Sequence, residues 1–137
     1  MASTLWTLLK KQKKSRDNEM KIAIIGSGGQ LGTDCTNIFS RNHQITGFDI
    51  PEIDIANKKS IEDNLLPLEP EIIINCAAFT AVDDCETKQE LAEKINALGP
   101  GNLADIAEEM GSRLIHVSTD YVFSGNKEIP EAYTEKD

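Results

Sequence analysis

The chain has little cysteine, no long apolar run and no excess of positive charge, and each shortage removes a class of protein. Its three cysteines, Cys35, Cys76 and Cys85, form neither an even set nor a Cys-x-x-Cys pair. That excludes a disulfide framework and argues against a zinc site. Such thiols suit a reduced cytoplasm, and Cys35 in a helix and Cys76 in a strand read as small buried apolar residues. No stretch approaches the roughly 20 apolar residues of a membrane span. The formal net charge is −9, and because residues 1–19 hold five basic and two acidic side chains (+3), the rest carries −12. This balance argues against a nucleic-acid groove, so small anionic ligands must be held by local backbone dipoles. Internal repeats and low-complexity segments are also absent.

Glycine, by contrast, is concentrated where it carries meaning. From Ile22 to Gly32 the chain reads Ile-Ala-Ile-Ile-Gly-Ser-Gly-Gly-Gln-Leu-Gly, an apolar strand that breaks into Gly-x-x-Gly-x-x-Gly and then opens an amphipathic stretch. Gly26 suits a tight turn, Gly29 lets backbone approach a diphosphate, and Gly32 allows close helix–strand packing. The helix N-terminus offers unpaired N–H groups. A glycine trio alone also fits an ordinary strand-to-helix loop. Asp49 ends the apolar segment Gln44–Asp49, 17 residues past Gly32. A carboxylate there can accept adenosine ribose hydroxyls and repels a 2′-phosphate, which favours NAD over NADP unless Lys58 or Lys59 compensates. The plainer reading of Asp49 is a solvated strand end ahead of Pro51.

Residues 1–19 carry one short apolar patch, Leu5, Trp6, Leu8 and Leu9, followed by Lys10, Lys11, Lys13, Lys14 and Arg16. A secretory leader has its positive charge before a longer apolar core, so this is no signal peptide. The segment is expected to be a disordered basic extension, a tag or a misassigned start, with a lipid-surface anchor as the weaker alternative. One folded domain is expected over residues 20–137. Within it, a helix over about Leu31–Arg41 buries Leu31, Cys35, Ile38 and Phe39 on one face. Asn57 caps a second helix through Leu66, and Ile72–Ala78 reads as a buried strand. A long helical face over Thr87–Met110 presents Leu91, Ile95, Leu98, Leu103, Ile106 and Ala107, bent at Gly99-Pro100 and ended by Gly111. Leu114–Ser118 is the last strand, with His116 as a core or strand-face residue lacking a partner. The result is an α/β, doubly wound parallel sheet of about four strands with right-handed crossovers.

Two further segments lie at the carboxyl ends of predicted strands, where open α/β sheets bind ligands. They are Asn75-Cys-Ala-Ala-Phe-Thr-Ala-Val-Asp83 and His116-Val-Ser-Thr-Asp-Tyr-Val-Phe-Ser-Gly125. Together with Gly26–Gly32, Ile95–Ala104, and Pro130, Tyr133 and Glu135, they resemble the extended short-chain dehydrogenase/reductases, specifically the dTDP-4-dehydrorhamnose reductase family. The likeness runs from Met20 to Asp137. It implies an incomplete Rossmann fold and reduction of the 4-keto group of dTDP-4-dehydro-L-rhamnose by NADPH or NADH, in the synthesis of dTDP-L-rhamnose for polysaccharide. By resemblance, Gly29, Gln30 and Leu31 match the phosphate-contacting turn, which Gly26 and Gly32 complete as cofactor-binding residues, and Asp49 matches the ribose position. Asp54 and Ile55 match the adenine side, and Ala78, Phe79 and Thr80 the nicotinamide ribose. Val117 matches a further cofactor contact, Thr119 the catalytic hydroxyl that also meets the substrate, and Asp120 a substrate-binding neighbour. No metal is implied.

One departure matters more than any match. The family protonates the developing alkoxide with a tyrosine whose pKa is lowered by a lysine four residues on. Here Tyr121 has Gly125 and Tyr133 has Asp137 at that spacing, so no Tyr-x-x-x-Lys occurs. Tyr121 is not a substitute. In the family the pair follows just beyond this point, so a chain cut at about half length, without its substrate lobe, is expected. It would bind cofactor weakly and turn over no substrate. A homodimer, or a carboxyl-terminal half on another chain, would be its partner. Two alternatives stay open: a non-catalytic accessory subunit like that of methionine adenosyltransferase, and another nucleotide-sugar epimerase or dehydratase.

Overall fold

The computed structural model describes residues 19–136, so the expected basic extension lies, apart from Glu19, outside the described residues. Four strands, β1 (Lys21–Ile25), β2 (Gln44–Phe48), β3 (Ile72–Asn75) and β4 (Arg113–His116), form one sheet in the order β2-β1-β3-β4. Every pairing is parallel. Helices connect them: α1 (Gln30–Phe39), α2 (Lys58–Leu65), then α3 (Val82–Thr87), α4 (Gln89–Glu93) and α5 (Gly99–Met110) in the last crossover. This is the expected doubly wound α/β arrangement. β1 and β3 are central, which explains their unbroken runs of apolar residues: a strand covered on both faces has no solvent side on which to place polar ones.

The two faces are unequal. On one, Ala23, Ile25 and Ile73 pack with Ile61 and Leu65 of α2 and Leu103, Ile106 and Ala107 of α5. On the other, the buried cluster is only Ile22, Ile24 and Ile74, with Cys35 and Phe39 of α1 laid against it. α1 therefore buries half the stripe expected of it: Cys35 and Phe39 are half-buried, but Leu31 and Ile38 are 44% and 56% exposed. The physical reason is that the small cluster offers them no facing apolar surface.

Local chemistry sets the helix limits. The Asn57 side chain accepts from the N–H groups of Lys59 and Ser60 at 3.1 and 3.4 Å, capping α2 as its sequence position predicts. Gly111 ends α5 in the left-handed conformation (φ +69°), a backbone form that costs glycine nothing. The long face over Thr87–Met110 is not continuous, however. Residues Lys94–Leu98 form a π-helical turn in which the Gly99 N–H reaches back to the Lys94 carbonyl. Pro100 has no N–H to return to Asn96, which favours a wider turn at this point. A wider turn shifts the phase of the apolar stripe, so Leu91 and Leu98 emerge 42% and 54% exposed, while Leu103 and Ile106 stay buried. The irregularity thus precedes the Gly99-Pro100 pair.

The strands are also shorter than the apolar runs suggest. β3 stops at Asn75, leaving Cys76 just past the strand, although its N–H still donates to the Ile25 carbonyl at 2.8 Å. β4 ends at His116. Among the described residues no helix is long and apolar enough to cross a membrane.

Candidate functional site

Because all four strands run the same way, the segments following β1, β2, β3 and β4 emerge on one rim of the sheet. The glycine turn and the Thr119 segment therefore share that rim, across the central strands. Gly26 turns the chain sharply out of β1 with φ +76°, and its main chain touches the loop after β3: a Cβ added here would lie 2.7 Å from the Ala77 nitrogen. At Gly32 a Cβ would lie 2.1 Å from the Gly26 carbonyl oxygen. Helix α1 is thus drawn against the turn by the absence of that one carbon. Gly29 is the N-cap of α1 without a side-chain cap bond, and its own N–H closes the turn onto the Gly26 carbonyl at 3.2 Å, so the N–H groups that follow it at the head of the helix have no capping side chain. A diphosphate is a suitable ligand for such a cradle. Gln30 and Leu31 open that first turn, exposed.

Asp49 is not merely a solvated strand end. Its Oδ2 accepts from the Ser27 hydroxyl at 2.9 Å and from the Gly28 N–H at 2.6 Å. A turn later, Asp54 accepts the Ala56 N–H at 2.9 Å and donates its own N–H to Ser60 Oγ at 3.0 Å. Ile55 is buried, its side chain facing Gly99 and its carbonyl accepting from Asn102 Nδ2 at 3.0 Å. The loop is pinned to α5, and the Ile55 side chain is taken up by that packing.

Two asparagines shape the segment after β3. Asn75, fully buried, accepts the Ala77 N–H on Oδ1 at 3.0 Å. That bond fixes the amide orientation, so Nδ2 donates across to His116 Nδ1 at 3.1 Å. His116 therefore has a partner, contrary to expectation, and sits exposed on the edge strand rather than in the core. Asn96, in the π-helical turn, grips both main-chain groups of Phe79: Oδ1 accepts the N–H at 2.8 Å and Nδ2 donates to the carbonyl at 3.0 Å. The clamp holds Phe79, the middle residue of Ala78, Phe79 and Thr80. Neither asparagine was singled out by motif spacing. For Asn75 the available signal was a polar amide ending an otherwise apolar strand; Asn96 offered none.

Beyond β4, Val117 is 46% exposed and Thr119 caps a short 3₁₀ turn, Asp120–Val122. The Thr119 hydroxyl accepts from the Tyr121 N–H at 3.3 Å and donates to Asp120 Oδ1 at 3.1 Å. An open groove lies over Ser118, Thr119, Asp120, Phe123 and Thr134. Behind Phe123 the Tyr133 ring stacks at 4.7 Å, and its hydroxyl accepts the Lys127 N–H at 3.1 Å. Hydrogen bonds from Ser124 and the main chain draw its phenol below the usual range. Tyr121 points to solvent, 76% exposed. Both tyrosines are accounted for without a catalytic lysine.

The thiols of Cys35 and Cys76 meet between α1 and the sheet. Burial first, and then the neighbouring Cys35, push the Cys76 thiol up to about 11. Among the described residues no group of three or more histidine, cysteine or acidic side chains is placed to hold a metal.

Comparison with known proteins agrees with this geometry. Residues 20–137 match the family model described as RmlD substrate binding domain. The dTDP-4-dehydrorhamnose reductase of Escherichia coli K12 is 36% identical over 115 residues, 81% of this chain and 38% of that protein. The crystal structure of a Clostridium acetobutylicum dTDP-4-dehydrorhamnose reductase superposes with a TM-score of 0.79 at 42% identity, covering 86% of this chain and 42% of that one. The Bacillus anthracis dTDP-4-dehydrorhamnose reductase, crystallised in complex with NADP, gives 0.75 at 36% identity, covering 80% and 39%. The chain spans less than half the length of these relatives. Over residues 20–137 it belongs to the RmlD family, that of the dTDP-4-dehydrorhamnose reductases.

Proposed function

We propose that this chain holds a nicotinamide dinucleotide in the crevice between the glycine turn and the segments after β3 and β4, as the cofactor-binding part of a dTDP-4-dehydrorhamnose reductase. The observation that carries this reading is the cradle at Gly26 and Gly32, which a Cβ would fill, at the head of α1 and on the rim shared with Thr119. The α1 N–H groups at Gln30 and Leu31 would take the diphosphate, drawn close over the bare backbone of Gly29, whose own N–H donates to the Gly26 carbonyl at 3.2 Å, and Asp49 would take the adenosine ribose. The Asp54–Ile55 main chain would line the adenine side. Ala78, Phe79, Thr80 and Val117 would lie along the nicotinamide ribose, and when bound the cofactor supplies a hydride.

In this reading the Thr119 hydroxyl, now donating to Asp120, turns toward the 4-keto oxygen of dTDP-4-dehydro-L-rhamnose, and Asp120 binds the sugar nucleotide. Proton delivery to the developing alkoxide has no donor in this chain, because neither tyrosine has its lysine four residues on. Cofactor binding without turnover is the expected behaviour. Titration of the purified chain with NADH and NADPH, followed by nicotinamide fluorescence, should give saturable binding. Oxidation of either cofactor dependent on dTDP-4-dehydro-L-rhamnose should be absent, and its appearance would overturn the assignment of chemistry to a missing acid.

A further inference from the structure

We propose that Ser27, Gly28 and Gly47 form a seat that locks the Asp49 carboxylate toward the adenosine ribose, making this chain select NADH over NADPH. The inference rests on the dinucleotide reading above and adds the residues that decide which dinucleotide is taken. Ser27 Oγ and the Gly28 N–H both bind the same carboxylate oxygen, Oδ2. The other oxygen, Oδ1, makes no hydrogen bond within the described residues and is available to a ligand hydroxyl. Gly47, in β2, is what lets Ser27 sit there: a Cβ at 47 would lie 2.7 Å from both Cβ and Oγ of Ser27. Gly28 is likewise bare on the side of the carboxylate, since a Cβ there would lie 3.0 Å from Oδ2. Strand β2 and the glycine turn thus build one seat for one charged group.

The consequence for selectivity follows from charge. A ribose with a free 2′-hydroxyl can donate to Oδ1. A 2′-phosphate brings a second anion to a carboxylate whose two local donors are already spent. The two lysines that follow Asp49 most closely in the sequence pair with other carboxylates. Lys58 is 3.3 Å from Glu109 and 3.8 Å from Asp105, and Lys59 pairs with Asp63. Among the described residues no basic side chain forms an ion pair with Asp49. The Bacillus anthracis relative was crystallised with NADP, so the choice of dinucleotide is a property in which this chain would differ from that relative.

The test compares NADH with NADPH, and ADP-ribose with its 2′-phosphorylated form, by fluorescence titration and calorimetry on the full chain, its Ser27→Ala and Asp49→Asn variants, and a Ser27→Lys variant. Wild type should bind the unphosphorylated ligand of each pair at least tenfold more tightly. Asp49→Asn should bring that ratio close to one. Ser27→Ala should weaken NADH severalfold without weakening NADPH, and Ser27→Lys should shift preference toward the phosphorylated ligands, with circular dichroism checking that each variant is folded. Equal or tighter binding of NADPH by wild type overturns the proposal while leaving the dinucleotide reading intact. A Ser27→Ala variant with unchanged NADH affinity removes the seat and leaves Asp49 acting alone. Failure of wild type to bind any of the four ligands removes the dinucleotide reading and this inference with it.

Discussion

A methyl group at position 32 would collide with main-chain atoms that cannot step aside, the Gly26 carbonyl oxygen at 2.1 Å and the Ser27 Cα at 2.7 Å, whereas at Gly101 nothing lies within 4 Å. The two glycines therefore predict opposite outcomes for the same substitution. Gly32→Ala must push α1 away from the turn, and chemical denaturation should show a loss of roughly 2–3 kcal/mol, accompanied by loss of dinucleotide binding. Gly101→Ala, inside α5, should raise stability by about 0.5–1 kcal/mol through a less disordered unfolded chain and better helix propensity. Cys76 gives a pH-dependent prediction at the same scale. Its thiol is held protonated up to about 11, against an ordinary 9.0. The fold thus retains a proton that the unfolded chain releases, and this contribution is complete below pH 9 and lost as pH rises toward 11. Iodoacetamide should label Cys76 slowly in the native protein near pH 8 and much faster in urea, as peptide mass spectrometry would record. Equal rates in the two states would show that the Cys35 contact does not shield it.

At the scale of elements, caps and clamps carry the specificity. Asn57→Ala removes the acceptor for two N–H groups at the start of α2 and should cost about 1 kcal/mol in urea unfolding. Asn75→Leu leaves the Ala77 N–H without its partner beside a fully buried position, and should cost roughly 1–3 kcal/mol. It should also weaken cofactor binding more than Asn57→Ala, because Ala77 borders Gly26. These elements show what could be read from residue order. Asn57 was legible because capping is local chemistry: one side chain and the next three N–H groups suffice. The glycine turn was legible for the same reason, and so was the parallel order of strands, whose apolar runs require cover on both faces. Asn96 was not, since its clamp on Phe79 joins residues 17 positions apart through a π-helical turn that propensity does not signal. Nor was Ser27 as the partner of Asp49, which needs the packing of β2 against the turn before the two side chains are neighbours. The over-long strands have a related cause: Cys76, Ala77 and Ala78 continue the apolar run, but the ladder stops where Asn75 bonds its own downstream main chain.

For the whole molecule, the decisive feature is the asymmetry between the two faces of the sheet. Strand register puts Ile115 of β4 beside Ile74 of β3, on the face where only α1 joins the buried cluster among the described residues. Ile115 and Val117 are 45% and 46% exposed there, and Ile38 on α1 is 56% exposed. β4 is also an edge strand, with one row of main-chain N–H and C=O groups unpaired by any neighbour in the sheet. An apolar half-face next to an open edge favours association, while the net charge of −9 opposes it at low ionic strength. The two effects separate experimentally because salt screens charge within about 10 Å at 0.1 M but leaves apolar attraction in place. Sedimentation velocity should therefore show self-association that increases with protein concentration and with added salt. Ile115→Lys places a charge on the edge strand and should return the protein to monomer at a stability change within about 1 kcal/mol. A wild-type chain that stays monomeric at high concentration and high salt would mean that the exposed isoleucines are too dispersed to act as one surface, and that the edge of β4 is protected by its own length of four residues.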